Sequence, residues 1–176
     1  MVAAAVGAVI ALAGTLLGGA RTDRSQRRRS LETDRLQAYV QFVLALDKAH
    51  AALREVARKE ASDPDRYAAA VQGVDGSGLY GTREQLLLSG SPNLVKAAEV
   101  AFSRLVAVRN AVRDGAALPD EAYHDAYHAF AEALWGFRMA ARGEIGQPQF
   151  SPAELDRVSW SEREQCSVCR ERAALP

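Results

Sequence analysis

Two pairs of side chains in the sequence have the types and spacing of metal ligands. His124 and His128, in the segment YHDAYHAF, are four residues apart, so both imidazoles would lie on one face of a helix. Cys166 and Cys169, in the segment CSVC, can supply half of a tetrahedral zinc site, a redox pair or a disulfide. If the C-terminal tail folds back onto the helix of the histidines, the four residues form a Cys2His2 site within one chain. Two tails in a dimer would instead offer four thiolates.

Each pair also has an interpretation without a metal. The histidines lack the glutamate of an HExxH motif and would then lie at the surface beside Tyr123 and Tyr127. A single CxxC pair in a reducing cytoplasm favours inert or reversibly oxidised thiols over a structural disulfide. His50 lies in an apolar stripe, where a hydrogen-bonded core histidine is the more common arrangement. The sequence contains no phosphate-binding glycine loop, nucleophile elbow or paired-carboxylate site, so it predicts a protein that is not an enzyme and has no cofactor, zinc excepted.

An uncharged segment at the start of the chain predicts where the protein is located. Residues 2–20 carry no charged side chain and would span roughly 28 Å as a helix, close to the hydrocarbon thickness of a bilayer. The positive-inside rule then predicts a single-pass membrane anchor at 1–20, with the N-terminus outside and the body in the cytoplasm. A cleaved signal peptide and a buried helix of a soluble protein are the alternatives.

A basic collar at 21–29 follows the predicted anchor. Its five arginines against Asp23 give a net charge of +4, whereas the whole chain has a formal net charge of +0. We expect the collar to contact anionic lipid headgroups, at about 1 kcal/mol per basic residue, rather than nucleic acid. The collar residues are Arg21, Arg24, Arg27, Arg28 and Arg29. Within the anchor, Gly14 and Gly18 form a GxxxG motif, which predicts a homodimer through the membrane helix, although glycine is common in such helices anyway.

Four segments between residues 30 and 146 are expected to form helices, and in three of them apolar residues recur at intervals of three and four. The stripes are Leu36, Tyr39, Val43, Leu46, His50, Leu53 and Ala57; Leu94, Ala98, Ala101, Leu105, Val108 and Val112; and Tyr123, Tyr127, Phe130, Leu134, Phe137 and Ala141. The first helix should end near Ala61, and the third should begin with Ser91 as its cap and Pro92 at its first position. Short connections predict an antiparallel four-helix bundle, and a dimer that shares helices is the alternative.

Two segments have weaker signals. Four glycines between residues 65 and 89 cost about 1 kcal/mol each in a helix, which leaves either one weakened helix, the interpretation we favour, or a helix-loop-helix. In the tail, 147–176, the segments SPAE at 151–154 and SERE at 161–164 match capping boxes and predict two short helices. Phe150, Leu155 and Trp160 would hold this tail on the bundle. The sequence thus predicts an all-α chain of anchor, collar, bundle and helical tail.

Several segments resemble those of small actinobacterial membrane-anchored helical proteins labelled KilB-like or CchlQ-like. The shared features are GTLLGG at the end of the leader, the QRRR collar and a helix start with Arg35, Ala38, Tyr39 and Phe42. The segments YHDAYH.FAEALW.FR and WSERE.C.VC are similar to the CchlQ-like proteins in particular. The resemblance spans most of the chain. The KilB label implies a membrane-associated accessory role in plasmid transfer between cells.

The sequence as a whole favours a non-enzymatic, membrane-anchored docking or scaffold protein on the cytoplasmic side of the cell membrane. The anchor, the collar and the amphipathic helices favour it, and the sequence does not identify the protein partner or the process. A metal- or redox-responsive module built on the CxxC tail is the first alternative. An accessory role in plasmid transfer is the second.

Overall fold

The computed structural model describes residues 2–59 and 63–174, with side chains from Gln26 onwards apart from Arg28. All regular elements in these ranges are helices, which confirms the all-α prediction. The helices are α1 (Val2–Ala57), α2 (Arg66–Asp75), α3 (Leu79–Ser89), α4 (Pro92–Arg113), α5 (Glu121–Glu144) and α6 (Ser167–Ala173). Two short 3-10 helices, Pro152–Leu155 and Arg163–Gln165, lie in the tail. The chain divides into two compact units, Met1–Leu36 and Gln37–Pro176.

The predicted membrane anchor, residues 1–20, lies outside the residues whose side chains are described. The same is true of Gly14 and Gly18 and of the collar residues Arg21, Arg24 and Arg28. The other two collar arginines, Arg27 and Arg29, are exposed. Among the residues whose side chains are described, which begin at Gln26, no helix has the length and apolar character needed to cross a bilayer.

In the second unit, α1 from residue 37 onwards packs antiparallel to α5. The Tyr39 hydroxyl donates to Glu144 at 2.6 Å near one end of the pair. Further along, the rings of Phe42 and Phe137 meet edge to face with centroids 5.1 Å apart. At the other end, the backbone N–H of Leu118, just before α5, donates to the Ala57 carbonyl at 2.9 Å. The two helices therefore run in opposite directions.

The α4 helix follows its sequence pattern closely. The Ser91 side chain accepts a hydrogen bond from the Leu94 N–H at 3.3 Å, and Pro92 is the first helical residue, as predicted. All six residues of the predicted α4 stripe are buried. In α1 the pattern is less accurate, since Leu36 is 43% exposed and Phe42, which was not in the stripe, is fully buried. Alanines beside Phe42 explain the difference, because their small side chains let α1 approach its neighbours: Ala38, Ala45 and Ala49 are buried too.

The single weakened helix favoured for residues 65–89 is wrong, because the chain forms two helices there, α2 and α3. The break lies at Gly76–Gly78, and Gly78 has a φ of +80°, which an L side chain rarely adopts. Gly73 serves a different purpose, since a Cβ on it would lie 3.0 Å from the Cβ of Ala52 on α1. The glycines therefore permit a turn and a close helix contact, which offsets their cost in helix propensity.

The first helix also ends earlier than predicted, at Ala57 instead of near Ala61. Arg66, at the start of α2, provides the physical reason. Its buried guanidinium donates at 3.2 Å to the carbonyl of Val56, in the last turn of α1, and at 3.1 Å to that of Lys59, two residues beyond the helix. Such a side chain satisfies carbonyls that have no partner inside the helix, so further helical turns are unnecessary.

In the tail, one predicted capping box is correct and the other is wrong. Ser151 and Glu154 form the box, with the Ser151 N–H 2.6 Å from the Glu154 carboxylate. At the second site, Glu164 accepts from the N–H and hydroxyl of Ser159, at 3.0 and 2.9 Å, and not from Ser161. Ser161 instead donates its N–H to Glu132 of α5 at 3.0 Å, because the tail lies against that helix.

Candidate functional site

The tail returns to the first half of α5 and brings a cysteine to the two histidines. His124 and His128 lie one turn apart on α5, and Cys166 precedes α6. The Cys166 Sγ lies 3.3 Å from the His124 Nδ1. One candidate ligand atom from each of His124, His128 and Cys166 lies within 4.8 Å of the others. This set of residues, with Cys169, is referred to below as the His/Cys cluster.

His128 has the hydrogen bonding of a prepared ligand. It is 5% exposed, and its Nδ1 lies 3.0 Å from the Ser161 carbonyl oxygen. A carbonyl can only accept, so Nδ1 carries the proton and Nε2 presents a lone pair. That Nε2 is buried and has no hydrogen-bond partner among the described residues. Burial is also the main cause that lowers the pKa of His128 below its usual value, which favours the neutral form.

Cys169 lies one turn after Cys166, on α6, and both thiols are free and half-buried. Burial, followed by the interaction with the Cys166 side chain, raises the pKa of the Cys169 thiol. Without a positive charge at the sulfur atoms, such as a metal ion, Cys169 therefore stays protonated at neutral pH.

Ion pairs connect the tail to the same face of α5. Asp125 accepts from Arg163 and from Arg172, the latter at 2.9 Å. The hydrogen bond from Arg172 is the largest of the causes that lower the pKa of Asp125. Arg172 also pairs with Glu121. These side chains are largely exposed, so each pair contributes at most about 1 kcal/mol, and the carboxylate of Asp125 is engaged by arginine and not by the cluster.

An aromatic stack fixes the loop that carries Ser161. Trp160 lies parallel to Trp135 of α5, with ring centroids 4.6 Å apart and an interplanar angle of 12°. The guanidinium groups of Arg138 and Arg157 lie 5.0 and 5.5 Å from the Trp135 ring centre. Trp160 therefore holds the tail on the bundle as predicted, whereas Leu155 is 42% exposed and does not. No pattern in the sequence indicated that Trp135 or the Ser161 carbonyl would take part.

A cavity of about 400 Å³ adjoins the cluster on the other side of His124. His50 reaches it from α1, stacked on Tyr127 with centroids 5.1 Å apart and with Nε2 3.2 Å from the Tyr123 hydroxyl. Burial lowers the pKa of His50 to about 4, helped by the charge of Arg54. His50 is thus a neutral, hydrogen-bonded histidine between two helices, and it does not join the cluster.

The arrangement suits two kinds of chemistry. A cysteine hydrogen-bonded to a histidine is the geometry of an activated thiolate. Two imidazoles and a thiol that converge within 4.8 Å, with a second thiol beside the first, are the donor set of a zinc site. His128 distinguishes the activated thiolate from the zinc site. A nucleophilic cysteine needs only one histidine as its base, whereas a zinc site also uses the buried lone pair of His128.

The chain has no significant match among protein families, curated proteins or solved structures. The resemblance to KilB-like and CchlQ-like proteins therefore stays a prediction from the sequence.

Proposed function

We propose that the chain is a non-enzymatic helical docking module that is tethered to the cytoplasmic face of the cell membrane. The observation that carries this proposal is the order of charge along one continuous helix. Residues 2–20 are uncharged, the arginine collar follows at 21–29, and α1 runs from Val2 to Ala57. Such an order favours an anchor whose basic end stays in the cytoplasm.

The surface of α1 supports a docking role. Val40 and Leu44, in the unit Gln37–Pro176, are four residues apart and are 47% and 54% exposed. Apolar side chains at this spacing form a strip along one helix face, which suits an amphipathic helix of a protein partner. In the same proposal, the arginine collar binds anionic headgroups, and Gly14 and Gly18 bring two membrane helices together.

Membrane fractionation tests the tether. We expect the full chain in the membrane pellet, resistant to high salt and alkaline washing and released by detergent, because an inserted apolar helix is not held by charge. A variant with the five collar arginines changed to glutamine should remain in the pellet but lose its fixed orientation. Release of the wild-type chain by high salt alone, or a mature chain that starts near residue 21, would contradict the proposal.

A metal- or redox-responsive module is the second candidate, and the His/Cys cluster is the observation that favours it. Cys166 is the residue common to the metal and redox versions, since it contacts His124 and lies three residues before Cys169. A redox version predicts a change in gel mobility between chains treated with a thiol oxidant and a reductant. That change should vanish in Cys166→Ser and in Cys169→Ser.

A further inference from the structure

We propose that His124, His128, Cys166 and Cys169 bind one zinc ion in a tetrahedral centre that fastens the tail to α5. This inference does not depend on the membrane tether, since all four ligands lie in the unit Gln37–Pro176. The ion would replace the direct contact between the Cys166 thiol and the His124 imidazole. It would also use the His128 nitrogen that lacks a partner in the described part of the chain.

The distances require little movement. Zinc bonds of about 2.3 Å to sulfur and about 2.0–2.1 Å to nitrogen, at a tetrahedral angle, place the two ligand atoms about 3.6 Å apart. The Cys166 Sγ and the His124 Nδ1 are 3.3 Å apart, and all three atoms lie within 4.8 Å. Shifts of a fraction of an ångström to about 1 Å therefore bring these three ligand atoms onto one ion, and Cys169, three residues after Cys166, supplies the fourth ligand.

The surroundings of His128 match those of a zinc ligand. In metal sites the ligating histidine generally donates its other N–H to a carboxylate or a backbone carbonyl, which fixes the tautomer and the ring. The Ser161 carbonyl does this for His128. The Ser161 N–H donates to Glu132, and the neighbouring Trp160 stacks on Trp135. The carbonyl that accepts from His128 therefore lies in a well-packed part of the tail.

Charge and ligand preference select the ion. Two thiolates and two neutral imidazoles around a divalent ion give a neutral centre, which suits half-buried cysteines. Each thiol loses its proton to solvent as its sulfur bonds to the ion, so binding releases protons and weakens as the pH falls. Thiolate together with imidazole favours zinc over magnesium or calcium, which prefer oxygen ligands.

The test uses the full chain in detergent micelles, reduced and stripped of metal with a chelator. After incubation with zinc and removal of the excess, we expect elemental analysis to give one zinc per chain. Cobalt(II) in place of zinc should give a thiolate-to-cobalt charge-transfer band and the visible bands of a tetrahedral ion. Cys166→Ser, Cys169→Ser, His124→Gln and His128→Gln should each weaken binding by more than about 10-fold.

His50→Gln is the matched control, because His50 is the one histidine outside the cluster and should leave zinc binding unchanged. Circular dichroism of each variant separates loss of a ligand from loss of the fold. A helical wild-type chain that retains no zinc and gives no cobalt bands would overturn the proposal. Unchanged zinc binding in Cys169→Ser would also overturn it. So would a cobalt spectrum typical of four thiolate ligands that is the same in the wild type, His124→Gln and His128→Gln. None of these outcomes bears on whether the chain is inserted in a membrane.

Discussion

Arg66 is a buried charged side chain that connects the ends of two helices. It is 3% exposed, and its guanidinium donates to the carbonyls of Val56 in the last turn of α1, Val112 in the last turn of α4 and Ala116 in the loop after α4. Carbonyls at a helix C-terminus carry partial negative charge, so they compensate the buried cation. A lone arginine in a sequence is normally predicted to be exposed, which is why Arg66 was not among the predicted core residues.

Replacement of Arg66 by methionine should lower the free energy of unfolding by about 3 kcal/mol. The variant keeps much of the volume but leaves buried carbonyls without donors, and hydrogen bonds to a charged group contribute about 1.5–3 kcal/mol each. Urea unfolding of the full chain can be followed by the fluorescence of its two tryptophans, Trp135 and Trp160. Arg66→Lys, which keeps the charge with fewer donors, should be intermediate. Equal stability of Arg66→Met and the wild type would show that these contacts contribute nothing.

The lowered pKa of His50 predicts that the folded chain loses stability in acid. Its folded-state pKa is about 4, below the usual histidine pKa of 6.5, so between these pH values the unfolded chain binds a proton that the folded chain does not. The stabilisation is therefore complete above pH 6.5 and is lost as the pH falls towards 4, by up to about 3 kcal/mol. In metal-free protein, urea unfolding at several pH values should show this slope in the wild type and a flatter one in His50→Gln. Parallel profiles would contradict it.

The candidate ligands could be predicted from residue type and spacing alone, but their surroundings could not. The separation of His124 and His128 and the CxxC pair are local properties of the sequence. The Ser161 carbonyl and the engagement of Asp125 by arginines depend on how the tail packs, since no short-range pattern links residue 125 to residue 172. The second predicted capping box failed in part for the same reason, since Ser161 donates to Glu132 of α5, while Glu164 accepts from the nearby Ser159.

At the scale of elements, α2 and α3 depend on the backbone conformation of one glycine. Gly78→Ala should destabilise the chain by about 1–2 kcal/mol, because φ at this position is +80° while nothing lies within 4 Å of an added Cβ. Gly81, inside α3, also has open space around it but no positive φ. Gly81→Ala should therefore stabilise the chain by about 1 kcal/mol.

Urea unfolding of the two alanine variants side by side separates conformational strain from helix propensity, since both glycines have space for a methyl group. Opposite changes in the unfolding midpoint are expected. Changes of the same sign would mean that the turn at Gly78 does not depend on its left-handed conformation.

Helices with an uninterrupted apolar stripe could be predicted well, and those that depend on glycine could not. In α4 a capped proline start and six regularly spaced apolar residues determine the element locally. Between residues 65 and 89 the same glycines are compatible with a weak helix or with a turn. The choice depends on the fit of α2 against Ala52 of α1, which is a long-range contact.

At the scale of the whole molecule, an anchor, which is proposed from the sequence, precedes a helical bundle that carries its tail on α5. The structural unit Gln37–Pro176 contains the bundle, the tail and the His/Cys cluster. The proposed anchor and collar precede that unit on the same helix, α1. The orientation of the anchor therefore decides in which compartment the bundle and its cysteines lie.

Reporter fusions after Pro176 test this orientation most directly. A green fluorescent protein and an alkaline phosphatase would be attached separately to the full chain and compared in intact cells and membrane fractions. We expect fluorescence in the membrane fraction and an inactive phosphatase, because the phosphatase matures only outside the cytoplasm. An active phosphatase, or fluorescence that stays in the soluble fraction, would contradict the tethered cytoplasmic module.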